Sequence, residues 1–176
     1  MGITQITENN MAQALFVTTE DIKKFTALNG NVDLDKFIQF VKIAQDTHIQ
    51  EYLGTRLFMK FNDDIVADDL AEPYTSLLTT YIKPMVIHWA LYEYLPFASY
   101  QIANKGIYKG GSETSETVSK EEVDYLINKQ QSIAQHYTTR FKDYMCFNQA
   151  SFPEYYENSN GDMFPNQNTI NYGWYL

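Results

Sequence analysis

Residues 119–145 read SKEEVDYLINKQQSIAQHYTTRFKDYM, and this stretch decides the fold. Ser119 and Glu122 match a capping box, in which each side chain bonds the other residue's backbone N–H, so a helix is predicted to begin here. Apolar residues then recur at helical spacing for about 25 residues, or about 38 Å at 1.5 Å per residue. They are Val123, Leu126, Ile127, Ile133, Ala134, Tyr137, Phe141, Tyr144 and Met145. The stretch therefore predicts one long helix with a single apolar face.

Three further helices are predicted upstream, over residues 19–28, 33–53 and 73–96. Gly54 is expected to end the second of them, because glycine readily adopts the left-handed conformation of a helix C-terminus. Pro84 lies inside the third and is expected to kink it, since proline has no N–H to donate to the preceding turn. Residues 55–69 mix apolar residues with two pairs of aspartates and predict no definite element. The sequence thus predicts an all-α fold, a small helical bundle with about four main helices.

The second predicted helix has apolar residues on two faces. One stripe at helical spacing is made of Leu34, Phe37, Ile38, Val41, Ala44, His48 and Tyr52. Phe40 and Ile43 project from a different face. A second apolar face needs its own cover, either another helix or another subunit, so we predict Phe40 and Ile43 to be oligomer interface residues.

Residues 104–118, NKGIYKGGSETSETV, are polar, have no helical period and contain three glycines. They predict a long mobile loop or an irregular hairpin within a helical domain of residues 1–147. Lys105 and Lys109 flank Tyr108, a weak signal for contact with a phosphate backbone.

The chain changes character in its C-terminal part, residues 148–176, which has no Lys or Arg but many Asn, Gln and aromatic residues. Disordered tails are usually poor in aromatics, so this segment is predicted to be an extended arm that docks on a surface. Its anchors would be Phe164, Tyr172, Trp174, Tyr175 and Leu176. The docking surface could belong to a partner, or the arm could fold back on its own bundle.

Composition limits the classes of function. The chain has 176 residues, which argues for one domain, and 22 acidic against 13 basic residues give a net charge of -9. Such an acidic surface disfavours general binding to nucleic acids or membranes. No leader peptide and no membrane-spanning segment are expected, and the single Cys146 is expected to be buried. These features predict a soluble protein of a reducing compartment.

No catalytic or metal-binding motif is present, so we predict a protein that is not an enzyme and has no cofactor or metal. His48 and His88 lie on apolar stripes and are expected to be hydrogen-bonded core or interface residues. One cluster of acidic residues could form a weak cation site or a catalytic carboxylate pair, namely Asp63, Asp64, Asp68 and Asp69. The favoured interpretation is a solvated acidic turn that caps the helix beginning at Pro73.

The order of these features resembles a known family. The motifs are IQEYLG (49–54), YIK (81–83) and ALYE (90–93), followed by a Gly-rich loop and a long last helix. In this order they resemble the head–tail connector, or adaptor, proteins of tailed bacteriophages, especially the ring proteins of crAss-like phages.

The resemblance implies a helical subunit that assembles in the bacterial host cytoplasm into a virion ring, typically a dodecamer, beneath the portal protein. The ring would extend the DNA channel, let DNA pass without specific binding, and dock the next ring or a tail protein. Lys105, Tyr108 and Lys109 would then contact the portal, a neighbouring subunit or DNA.

Two other functions stay open. One is a small all-helical adaptor or regulator that acts as a monomer or dimer. The other is an enzyme that uses the four aspartates.

Overall fold

The computed structural model describes residues 13–26, 34–98, 100–103, 106–109, 119–157 and 162–168. Its α-helices are α1 (Thr19–Phe25), α2 (Leu34–Ala44), α3 (Gln50–Val66), α4 (Tyr74–Leu77), α5 (Lys83–Tyr94), α6 (Lys120–Phe147) and α7 (Pro153–Tyr156). π-helical turns join α2 to α3 (Gln45–Ile49) and α4 to α5 (Leu78–Ile82). An antiparallel hairpin pairs β1 (Tyr100–Ala103) with β2 (Gly106–Lys109). The predicted all-α bundle is therefore confirmed, with one hairpin added.

Helix α5 is the central element of the bundle and packs against both α2 and α6. Its buried residues are Met85, Val86, Ile87, Trp89, Ala90 and Leu91. Consecutive residues of a helix point in different directions, so a run of this kind is buried on several faces at once. Helix α5 therefore needs neighbours on more than one side.

The predicted starts of two helices are confirmed by their hydrogen bonds. The Ser119 side chain accepts from the backbone of Glu122 at 3.2 Å, and the Glu122 carboxylate accepts from the backbone of Ser119 at 2.9 Å. Thr18 and Asp21 form the same reciprocal pair before α1. At Pro84, the expected disturbance takes the form of the π-helical turn that immediately precedes α5.

The helical backbone is interrupted at Gly54, where the second predicted helix was expected to end, but a further helical segment follows without a connecting loop. The φ of 73° and ψ of 155° at Gly54 interrupt the helical backbone, but the chain resumes helical geometry and continues to Val66. Residues 55–66, which have a mixed pattern in the sequence, are therefore helical. The glycine in the sequence predicted the position of the break correctly, because glycine readily adopts a positive φ. It did not indicate that a helix lies on both sides of the break.

The interruption at Gly54 is bridged by residues 163–166 of the C-terminal arm. In an unbroken helix the Thr55 N–H would bond the Glu51 carbonyl. Here the Thr55 N–H donates to the Met163 carbonyl at 2.9 Å, and the Glu51 carbonyl accepts from the Asn166 N–H at 2.9 Å. The Asn166 side chain also donates to the Glu51 carboxylate at 2.6 Å. Arm residues thus replace the hydrogen bond that the helix loses.

The chain from residue 148 to 157 is part of the bundle and does not belong to a separate arm. Phe152 and Tyr155 are buried in the main core. The Tyr156 hydroxyl donates to the Met145 carbonyl of α6 at 2.6 Å, and Tyr74 donates to the Glu154 carboxylate at 2.5 Å. The domain boundary predicted at residue 148 is corrected accordingly, because Phe152 and Tyr155, two of the aromatic residues that suggested a docking arm, complete the core instead.

The segment that precedes α1 is bound to the bundle by a buried polar side chain. Gln45, in the first π-helical turn, accepts from the Phe16 N–H at 2.8 Å and donates to the Ala14 carbonyl at 3.0 Å. Both polar groups of the Gln45 amide are thereby paired, as burial requires. Phe16 then packs against Phe58 and Phe61 of α3.

Replacing Gly54 with alanine should destabilise the fold. A Cβ on Gly54 would lie 2.7 Å from both Cγ and Cδ of Pro165, and the φ of 73° is itself unfavourable for an L side chain. Backbone strain of this kind costs about 1–3 kcal/mol, so Gly54→Ala should lower the free energy of unfolding by at least that amount. Urea denaturation followed by circular dichroism measures the change.

The double variant Gly54→Ala/Pro165→Ala separates the two causes. Removing the proline ring relieves the steric clash and leaves the backbone strain, so the double variant should be less destabilised than the sum of the two single variants. Unchanged stability of Gly54→Ala would contradict the observed conformation at this position.

Candidate assembly surfaces

The four aspartates do not form a converging carboxylate site. Asp63 and Asp64 lie in the last turn of α3, where Asp64 pairs with Lys60 at 2.8 Å. Asp68 and Asp69 lie in the exposed turn that follows, and Asp68 has a φ of 53°. Within the residues that the structure describes, no three His, Cys, Asp or Glu side chains come together as metal ligands.

The acidic turn closes α3 instead of capping the next helix. The carbonyls of Asp63 and Asp64 accept from the N–H groups of Ala67 and Asp69, both at 2.9 Å. Pro73 precedes α4 as its N-terminal flanking residue and makes no side-chain cap. The turn is solvated as predicted, but its backbone hydrogen bonds terminate α3 and do not cap α4.

His48 is held in a cluster of polar and aromatic groups between α5 and the first π-helical turn. Its Nε2 lies 2.7 Å from the Glu93 carboxylate, and its ring stacks on Trp89 with centroids 4.0 Å apart. The Trp89 indole N–H donates to the buried Thr138 hydroxyl of α6 at 3.0 Å. These contacts hold three elements together, and they agree with the prediction that His48 is a hydrogen-bonded core or interface residue. Glu93 as its partner could not be foreseen from spacing.

His88 lies between α5 and α6, in a more enclosed position. The Gln130 side-chain amide donates to His88 Nδ1 at 2.8 Å and to the His88 carbonyl at 3.0 Å. The imidazole stacks on Tyr137 with centroids 4.9 Å apart. Burial lowers the pKa of His88, because the charged imidazolium would lose its hydration. The acceptor role of Nδ1 likewise requires the neutral ring.

The predicted interface residues Phe40 and Ile43 differ in their exposure. Phe40 is only 7% exposed, since Tyr94 and Phe97 of the same chain cover its ring at centroid distances of 5.4 and 5.6 Å. This corrects the assignment of Phe40 to an intermolecular contact. Ile43, one turn further along α2, is 40% exposed, and Phe97 is 52% exposed. We call Ile43 and Phe97 together the Ile43–Phe97 surface.

Only the second strand of the hairpin, β2, lies in the predicted loop of residues 104–118. Tyr108 stands opposite Gln101, and Lys109 stands opposite Tyr100. Lys105 and residues 110–118 lie outside the described residues. The hairpin that the structure describes begins at Tyr100, before the segment predicted from the sequence, and it is regular over its four residue pairs.

The predicted docking arm is attached to its own chain over the part that the structure describes. Residues 163–166 bind at Gly54, as shown above, while Phe164 projects away and is 71% exposed. Tyr172, Trp174, Tyr175 and Leu176 lie outside the described residues. Of the two alternatives left open by the sequence, folding back is therefore observed for the first part of the arm.

Two further side chains at the end of α6 are exposed. Phe147, its last residue, is 87% exposed. Cys146 is also exposed, so the prediction of a buried cysteine is wrong. The helix turns Cys146 away from Met145 and Phe141, which face the core. Among the described helices, none is long and apolar enough to cross a bilayer.

The lowered pKa of His88 predicts how stability varies with pH. Between the folded and unfolded pKa values the unfolded chain binds more protons, so stability should fall as pH drops through about 6.5, the ordinary value for histidine. We expect a lower urea midpoint at pH 5.5 than at pH 7.5, and a smaller difference in His88→Gln. The exposed His136 gives a matched control, since His136→Gln should keep the wild-type difference. An equal pH dependence in all three proteins would contradict this account.

Comparison with known proteins adds one finding. A model of a family of unknown function, DUF6712, matches residues 49–165, about two thirds of the chain. No curated protein and no solved structure matches the chain. The matched region includes α3, α5 and α6 and ends at Pro165, the residue that packs on Gly54. The chain belongs to the DUF6712 family.

Proposed function

We propose that this protein is a structural subunit of the head–tail connector of a tailed bacteriophage. It would form a homo-oligomeric ring beneath the portal protein, extend the DNA channel and dock the next ring or a tail protein. The role is non-enzymatic and needs no cofactor, and the protein would be found in the virion. The resemblance in helix order and in the motifs at 49–54, 81–83 and 90–93 supports this proposal.

The observation that carries the proposal is the presence of exposed apolar groups at opposite ends of the bundle. Phe97 follows the end of α5 and covers Phe40, which lies one turn before Ile43 on α2. Helix α6 runs antiparallel to α5, since Tyr144 stacks on Tyr81 at 4.1 Å while Thr138 bonds Trp89. Phe147 therefore lies near the start of α5, at the other end from Phe97.

Two different surfaces are what a ring subunit needs. In a ring each copy contacts its neighbours head to tail, through two unlike patches, whereas a twofold dimer uses one patch twice. The Ile43–Phe97 surface and Phe147 provide unlike apolar patches on one chain. This arrangement favours the ring over the alternative of a monomeric or dimeric adaptor.

The charge of the chain agrees with a channel-forming role. A net charge of -9 repels the phosphate backbone, which allows DNA to move past without being held. The four aspartates give no support to the enzymatic alternative, because Asp64 pairs with Lys60 and the main-chain bonds of Asp63 and Asp64 close α3.

The proposal is tested by assembly of the full chain, alone and mixed with the portal protein of the same genome. Light scattering after size exclusion and negative-stain electron microscopy would detect a ring. We expect Ile43→Lys/Phe97→Lys to remain monomeric and helical, because a charge cannot be buried in an apolar contact without large cost.

A matched control is Met59→Lys/Val66→Lys, which introduces the same charges at two exposed apolar positions of α3. This control should assemble like the wild type. A wild-type chain that stays monomeric or dimeric at high concentration and does not bind the portal would overturn the proposal.

A further inference from the structure

The first two turns of α6 line an open groove that the described part of the chain leaves unfilled. Glu121, Glu122, Tyr125 and Leu126 form its lining, and its volume is about 440 Å³. Tyr125 is 68% exposed and Leu126 is 48% exposed, so both of its apolar walls face solvent. We call these four residues the α6 groove. It combines apolar walls with two carboxylates and has room for an aromatic side chain.

The last turn of α1 carries the complementary groups. Phe25 is 56% exposed, and the Lys24 ammonium lies over its ring, 5.3 Å from the centroid. Lys24 is itself exposed. We call these two residues the α1 patch. An aromatic ring with a positive charge beside it is complementary to a groove with apolar walls and two negative charges.

The patch and the groove lie at opposite ends of the bundle. The ion pair between Asp21 and Lys83, at 2.7 Å, holds α1 at the start of α5. Helix α6 runs antiparallel to α5, so the first turns of α6 lie toward the other end, where the turn Leu95–Phe97 packs against this helix. The patch therefore lies at the end that carries Phe147, and the groove lies at the end that carries Phe97.

The distance between them prevents their contact within one chain. Tyr144 stacks on Tyr81 just before α5 begins, so it marks the level at which α1 is attached. Tyr125 precedes Tyr144 by 19 residues, or about 28 Å along the helix. Phe25 follows Asp21 by only four residues, so α1 covers about 6 Å of that distance. The patch can therefore reach only the groove of another molecule.

We propose that the α1 patch of one copy docks in the α6 groove of the next copy, with Phe25 between the apolar walls and Lys24 facing the two carboxylates. This inference rests on the proposed function, because it names the contact between neighbouring subunits of the ring. Unlike surfaces at opposite ends of one chain make a head-to-tail contact, as a ring requires. Exposed ion pairs add little free energy, so the apolar side chains supply the affinity and the charges fix the orientation.

Reversal of the charges in the full chain tests the contact. Lys24→Glu reverses the patch. Glu121→Lys/Glu122→Gln reverses the groove, while the glutamine preserves the capping box with Ser119. Each variant alone brings like charges together, so we expect its self-association to be about tenfold weaker than that of the wild type in sedimentation equilibrium. An equimolar mixture of the two variants should regain wild-type association, because alternating copies then bring opposite charges together at every contact.

A matched control is Asp63→Lys/Asp69→Asn, which changes two exposed carboxylates at the end of α3. It raises the net charge by the same three units as the groove variant does. We expect it to associate at least as strongly as the wild type, because a smaller negative charge reduces the repulsion between copies. If net charge alone governed association, the groove variant would behave like this control. Circular dichroism checks that every variant keeps the helical fold.

The possible results separate the contact from the connector function. A groove variant that associates like the control, or a mixture that associates no better than its components, would overturn the contact and leave the function standing if the wild type forms rings. A wild-type dimer that is sensitive to both reversals would support the contact and contradict the ring. A wild-type chain that does not self-associate would overturn the contact, and it would overturn the function only if it also failed to bind the portal.

Discussion

The exchange of hydrogen bonds at Gly54 is the constraint that ties the C-terminal arm to α3. The helix gives up the bond between Thr55 N–H and the Glu51 carbonyl, and both groups find partners in Met163 and Asn166. A buried or half-buried backbone group without a partner costs about as much as a lost hydrogen bond, so the break and the arm stabilise each other. Neither would persist in this form without the other.

The sequence predicted the elements whose signals are local. The capping box at Ser119 and the one-sided stripe after it gave the start and length of α6, because both depend on residues within a few turns of one another. The break at Gly54 was visible for the same reason. The helix that follows the break could not be predicted in this way, since the hydrogen-bond partners of Glu51 and Thr55 lie more than 100 positions away along the chain.

The errors concerning side chains have the same origin. Periodicity placed Phe40 on a second face correctly, but it could not show that Tyr94 and Phe97 fold over it. It also assigned Val123 and Leu126 to the same stripe as the buried Phe141, although α6 extends beyond the helices that cover its second half. A pattern shows which residues are able to be buried. Which of them are buried depends on where the neighbouring elements end.

The position of the arm also limits how copies of this chain can associate. Residues 163–166 are bound to their own α3, so an arm that moved to a neighbour without receiving another arm in exchange would leave the Thr55 N–H and the Glu51 carbonyl unpaired. A contact through the Ile43–Phe97 surface requires no such loss. It joins apolar side chains of a chain with a charge of -9, so added salt would screen the repulsion between copies without weakening the contact itself. Association should therefore strengthen with ionic strength, in contrast to an interface held by ion pairs, and the proposed ring does not depend on arm exchange.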